Sequence, residues 1–267
     1  MIKKVNEKGN KKTIGKGAIM PGAEPFFYPV GGEAGCLLVH GFSGSPHGMK
    51  RMGQYLAGAG ISALGVRLHG HGTKIEEMER CHYREWIASA EEGLIELHRH
   101  CRLTFVAGIS MGGVLALHLA RYYPDQVNGV IAMCTPYDMP LWMKFLAPPL
   151  KYLVKRVAPP KGVGTKKPSV AKVGYRQFSL PAVHQLIRLV NEVRPELPFI
   201  TCPALVIASR RDLVVRAGNA PRILNALGSK KKELFWVENS GHMITLDYDR
   251  DQVFQRAENF IKKEASI

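Results

Sequence analysis

One pattern limits the fold of this chain more than any other: continuous apolar runs recur along it, separated by segments with helical spacing. The runs are CLLVHGF (36–42), ISALGV (61–66), LTFVAGIS (103–110), VNGVIAMC (127–134), ALVIAS (204–209) and ELFWVE (233–238). Short runs without polar alternation read as strands covered on both faces. The segments between them include 49–59, 83–100, 111–122 and 249–263. In 83–100, Trp86, Ile87, Ala90, Leu94 and Leu97 fall near i, i+3/i+4 spacing and share one helix face. Strands alternating with helices imply an α/β fold, a mostly parallel central sheet with helices on both faces.

The rhythm breaks once, between residues 135 and 197. That stretch holds Pro140, Pro148, Pro149, Pro159, Pro160, Pro168, Pro181 and Pro195, with apolar helical pieces at 141–146 and 183–190. It reads as a small helical cap insertion (135–197) over the strand ends of a core formed by 18–134 and 198–267. Residues 1–17 are polar and rich in Lys and Gly, and read as a flexible basic tail. No apolar h-region follows that charge, so no signal peptide is expected and the cytoplasm is the default compartment.

The chain has 267 residues, enough for a substantial core, with 46% hydrophobic and 22% charged residues. The formal net charge of +15 raises a nucleic-acid reading. The lysines, however, are scattered in three places (the first 17 residues, 151–172 and 230–232), none interleaved with an RNA-type aromatic motif. They read as solvated surface, with transient attraction to anionic lipid interfaces as the second reading and no nucleic-acid partner. Five cysteines, Cys36, Cys81, Cys101, Cys134 and Cys202, show no CxxC or Cys/His ligand spacing. They read as small buried hydrophobes, not disulfides or zinc ligands.

The sharpest chemical signal is Gly108-Ile109-Ser110-Met111-Gly112-Gly113, a G-x-S-x-G between a strand and a helix. In a nucleophile elbow the backbone doubles back at the serine, and neighbouring Cβ atoms would clash; hence the glycines. A serine hydroxyl needs a base to take its proton. With the order Ser…Asp/Glu…His, each partner should follow a later strand. Asp212 follows ALVIAS and His242 follows ELFWVE. Asp138 comes one strand early and Glu238 sits on a strand end, so Asp212 is the expected acid and His242 the base. His40-Gly41-Phe42-Ser43-Gly44 ends the first buried strand. Its Phe42 N–H, with that of Met111, is the expected oxyanion hole; His40 is expected to brace the loop. His69 and His71 suggest a metal by their spacing, but no carboxylate or cysteine partner is nearby, so Arg67–Gly72 is expected to pack beside the oxyanion loop. No metal and no organic cofactor is expected.

With these residues assembled, the chain resembles the bacterial monoacylglycerol lipase and small carboxylesterase family of the α/β-hydrolase superfamily. The likeness is carried by LLVHGFSGSPHGM (37–49), GHGT (70–73), EMER (77–80), WIASAEEG (86–93), GISMGG (108–113), CPALVIAS (202–209), DLVVRAGNA (212–220) and GHMITLDYDRDQ (241–252). It implies an α/β-hydrolase fold with a small cap, the triad Ser110, Asp212 and His242, and the oxyanion N–H groups of Phe42 and Met111. In monoacylglycerol lipases of this group a Tyr-Glu pair in the cap serves the glycerol hydroxyls. Here the stretch reads Gly174-Tyr175-Arg176-Gln177. A cation there favours a serine carboxylesterase for short- to medium-chain esters over strict monoacylglycerol recognition. Trp142, Phe145, Leu146 and Arg176 are the candidate substrate-binding residues. An amide or C–C hydrolase and a non-catalytic binding protein on the same fold stand as alternatives.

Overall fold

The computed structural model describes residues 18–159, 165 and 173–267. The expected basic tail (1–17), Pro160 and Pro168 lie outside the described residues. A seven-stranded sheet runs through the molecule in the order β1-β3-β2-β4-β5-β8-β9. Its strands are β1 (Phe26–Tyr28), β2 (Ala34–Val39), β3 (Ser62–Val66), β4 (Leu103–Ile109), β5 (Val127–Met133), β8 (Ala204–Ser209) and β9 (Lys232–Val237). All neighbours are parallel except β1, which runs antiparallel to β3 at the edge. The α/β architecture expected from the alternation is therefore the one observed. β1 is an addition: its three residues are too few for a periodicity to be read.

Side chains alternate across the sheet and feed two cores. Val106 of β4 joins one cluster, with Trp86, Leu115 and Val190. Phe105, Ala107 and Ile109 join the other, with Met52, Leu56, Phe254 and Ile261. The first face is covered by α3 (Tyr83–His98), α4 (Met111–Tyr122) and α6 (Leu180–Val193), the second by α1 (His47–Gly58) and α8 (Arg250–Ala265). Every residue of α4 from Met111 to Ala120 is buried. A helix apolar all round is stable only when neighbours enclose it. Here α3 and α6 close over it.

Between β5 and β8 the chain forms α5 (Leu141–Leu150), a two-stranded antiparallel ribbon of β6 (Arg156–Val157) and β7 (Phe178–Ser179), α6, and a 3₁₀ turn over Arg194–Phe199. The Ser179 hydroxyl accepts from Ala182 N–H at 3.2 Å, and Pro181 stands in the first turn of α6. Leu186, Leu189, Val190 and Val193 pack into the main core. The inserted stretch is thus not one uniform layer. Its second helix is a wall of the core, while α5 holds to α6 through Ala147, Val183 and Ile187. No helix among the described residues is long and apolar enough to cross a membrane.

Candidate active site

The carboxyl ends of β4, β8 and β9 deliver Ser110, Asp212 and His242 to one place. Ser110 turns the chain from β4 into α4 at φ 56°, ψ −120°, a conformation L-residues rarely adopt. Such a residue costs about 1–3 kcal/mol and persists only where its surroundings hold it. Here Ser110 N–H donates to Met133 O at 2.8 Å, and Ser110 O accepts from Gly113 N–H at 2.9 Å. The turn also demands bare backbone: a Cβ at Gly108 would collide with Gly112 O, and one at Gly112 with Val39 O.

His242 Nδ1 lies 2.7 Å from Asp212 Oδ2, with both side chains almost wholly buried. A carboxylate accepts, so Nδ1 carries a proton, and in the neutral ring Nε2 is the nitrogen with the lone pair. The other oxygen, Asp212 Oδ1, accepts from Val214 and Val215 N–H at 2.8 and 2.9 Å. The His242 loop is tied down separately. Asp249 accepts from Asn239 and Ser240 N–H, Asp247 accepts from Gly241 N–H, and Ser209 Oγ donates to Ser240 O at 2.6 Å. The rival acids are engaged elsewhere. Asp138 pairs with Lys144 and Arg194, and Glu238 is an exposed partner of Arg210.

The 40–44 loop packs on the elbow; a Cβ at Gly41 would lie 3.3 Å from Ser110 Cβ. His40 sits beneath it, its Nδ1 3.0 Å from Gly41 O and its Nε2 accepting from Leu68 N–H at 3.2 Å. That pattern fits a neutral imidazole, and burial lowers its pKa from 6.5 to about 4. The His71 ring packs edge-on against His40, Phe42 and Trp86. Burial, followed by the repulsion of His40, takes His71 to about 3. The Arg67–Gly72 segment thus lies beside the 40–44 loop, as its motif suggests.

Ser110 and His242 line a cavity of about 730 Å³ with Gly41 and Phe42. That is a common size for a small-molecule site. Its walls are apolar: Met139, Leu141, Met143, Phe178 and Val183 from the inserted stretch, and Leu213–Val215, Met243 and Leu246 from the loops after β8 and β9. The residues expected to bind substrate are placed differently. Phe145 and Leu146 are 73% and 56% exposed, Arg176 is exposed, and none of the three lines the cavity. The side chain of Trp142 lies outside the described residues. The cavity meets α5 at its first turn, where Leu141 and Met143 stand. Residues 145 and 146 come a turn later, about 5.4 Å further along the axis, and face solvent. Three features had no sequence signal. Tyr175 Oη donates to Gly70 O at 2.7 Å and Tyr175 N–H to Ser43 O, stitching the inserted stretch to two core loops. Cys134 is buried at φ 44°, its sulfur within 4.8 Å of the facing Asp212 and His242 atoms. Burial, then the Asp212 charge, raises its pKa well above the ordinary thiol range. Arg216 and Arg222, at the cavity rim, are the third.

The fold and this site define a hydrolase of the α/β-hydrolase superfamily. Residues 32–249 match the family described as serine aminopeptidase, S33, and the chain belongs to that family. It is 38% identical over 247 residues to a thermostable monoacylglycerol lipase of Bacillus sp. (strain H-257), covering 92% of this chain and 97% of that protein. It is 29% identical over 244 residues to a carboxylesterase of Bacillus subtilis (strain 168), covering 90% and 96%. A solved structure from a study of LipS and LipT, two metagenome-derived lipolytic enzymes, superposes with a TM-score of 0.85 at 34% identity. It covers 92% of this chain and 100% of that one.

Proposed function

We propose that the protein is a serine carboxylesterase that cleaves short- to medium-chain carboxylic esters through an acyl-enzyme on Ser110. The observation that carries this reading is the buried 2.7 Å His242–Asp212 pair, which leaves the free imidazole nitrogen at a cavity shared with a strained serine. His242 Nε2 takes the Ser110 proton as Oγ attacks the ester carbonyl carbon. Phe42 and Met111 N–H groups receive the charge on the carbonyl oxygen. The C–O bond to the alcohol breaks, and the alcohol leaves with the proton from His242. Water, deprotonated by the same nitrogen, then attacks the acyl-enzyme and releases the acid. Residues 135–197 act as the cap, with Met139, Met143, Phe178 and Val183 meeting the acyl chain. Neither a metal nor an organic cofactor enters these steps.

Monoacylglycerol hydrolysis on the same triad is the second reading, favoured by the 38% identical lipase. The exposed position of Arg176 weakens the reason for setting it aside. The amide reading, which the family description raises, meets an obstacle. A free amino terminus needs an unpaired carboxylate, yet the one acid among the described cavity-lining residues, Asp138, already faces Lys144 and Arg194. The test is a chain-length series of p-nitrophenyl esters, run beside monoacylglycerols and aminoacyl anilides. Ester turnover lost in Ser110→Ala supports the proposal. Anilide turnover exceeding that of both ester classes would overturn it.

A further inference from the structure

We infer that His69, Cys81 and Glu85 form a binding site for a single borderline divalent ion of the zinc class, apart from the hydrolytic site. The three come from different elements. His69 lies in the loop after β3, Cys81 caps the C-terminus of α2 (Ile75–Arg80), and Glu85 stands in the first turn of α3. In sequence His69 has no such neighbour; the fold supplies two. One ligand atom from each residue lies within 4.8 Å of the others. His69 Nε2 is already 3.3 Å from Glu85 Oε1.

The donor set is an imidazole nitrogen, a sulfur and a carboxylate oxygen. That mixture suits zinc, which in open sites takes three protein ligands and a water in the fourth position. Metal–ligand bonds of about 2.0–2.3 Å put tetrahedral donors about 3.3–3.8 Å apart. The gap to be closed is therefore small. The His69 and Glu85 side chains, 30% and 46% exposed, give the ion a path from solvent, and Glu85 can turn Oε1 to it while Oε2 keeps the His82 N–H. Cys81 is the fixed member. It is 4% exposed, its thiol donates to Glu77 O at 3.2 Å, and its sulfur packs so tightly on Gly70 that a Cβ there would collide with it. On binding, the Cys81 S–H bond breaks, the proton passes to solvent and the thiolate lone pair forms the S–metal bond. Thiolate and carboxylate together then neutralise the dication.

The site has a consequence for the loop that carries it. Leu68 N–H, one residue before His69, supports His40 at 3.2 Å. A bound ion ties that support to the start of α3. The inference stands whether or not the protein is an esterase.

The test is calorimetric titration of the metal-free full chain with zinc chloride, in two buffers of different ionisation enthalpy. Cobalt absorption is recorded alongside. One ion per chain, a proton released on binding and a thiolate-to-cobalt band are expected. Affinity should fall at least tenfold in Cys81→Ser, His69→Gln and Glu85→Gln. The glutamine keeps the acceptor that caps α3 at His82 N–H, so that variant stays folded. His100→Gln, which alters a histidine beside Glu96, should bind unchanged. Absence of a stoichiometric site, equal binding by all variants, or no thiolate band would overturn the inference. So would loss of binding in Cys134→Ser with binding kept in Cys81→Ser, which moves the ion to the Cys134, Asp212 and His242 cluster.

Discussion

The elbow around Ser110 and the helix α5 face the same cavity, and they are built in opposite ways. The elbow is enclosed: its flanking residues Ile109 and Met111 are fully buried, its backbone groups are bonded and its glycines touch neighbouring carbonyls. Helix α5 and its exit expose Leu141, Phe145, Tyr152 and Leu153 at 68%, 73%, 81% and 85%. Among the described side chains of α5 only Ala147 is buried, in a three-residue cluster with Val183 and Ile187. The difference teaches where precision is needed. Proton transfer depends on atoms held within a few tenths of an ångström, so it belongs in the core. An acyl chain needs apolar contact without fixed geometry, and the proposed function gives that task in part to a lightly anchored helix.

Substitutions on the two sides should therefore differ in kind as well as size. Ser110→Ala should lower kcat by about 10⁴–10⁶-fold with an unchanged melting temperature. Activity within tenfold of wild type would break the comparison at its root. Asp212→Asn, measured as kcat at neutral pH, should cost about 10⁴-fold, because the amide favours the wrong tautomer of His242. Gly112→Ala should destabilise by about 3 kcal/mol or more in urea unfolding, since its Cβ meets the backbone carbonyls of Val39 and His40. On the other side, Met139→Ala and Val183→Ala should shift the preferred acyl length and change KM more than kcat. Phe145→Ser and Leu146→Ser, which alter side chains off the cavity, should leave the chain-length profile unmoved.

Acid sharpens the contrast through His40. Its folded pKa of about 4 lies below the ordinary 6.5, so the unfolded chain binds the extra proton first. Stability is fully present above pH 6.5 and is lost progressively toward pH 4. The loss is on the order of 3 kcal/mol at the low end, since a tenfold change in proton affinity is worth about 1.4 kcal/mol. Urea midpoints between pH 7 and 4 should fall less steeply in His40→Asn than in wild type. Equal slopes would remove His40 from the account.

Legibility in the sequence follows the same division. Strands β2, β3, β4, β5 and β8 could be read because burial on both faces leaves continuous apolar runs; β9, a half-buried edge strand, could be read from its short apolar run LFWV. The elbow could be read because its steric demand forces glycine at fixed positions. Strand β1 and the β6–β7 ribbon escaped, being two or three residues long and defined by pairing with partners distant in sequence. The cavity wall escaped for another reason. Which part of α5 meets the cavity depends on its seat against α6, and an apolar helix carries no polar stripe to report it. The contact of Tyr175 with Gly70 and the meeting of His69 with Cys81 and Glu85 likewise join residues that the chain alone keeps apart.

The central claim, that Ser110 is acylated with the aid of the Asp212–His242 pair, is tested most directly by rapid mixing with a p-nitrophenyl ester followed by acid quench and peptide mass analysis. The account predicts a burst of about one p-nitrophenol per chain and an acyl group on the peptide that contains Ser110. An acyl group on any other residue, or none with turnover intact, would contradict it.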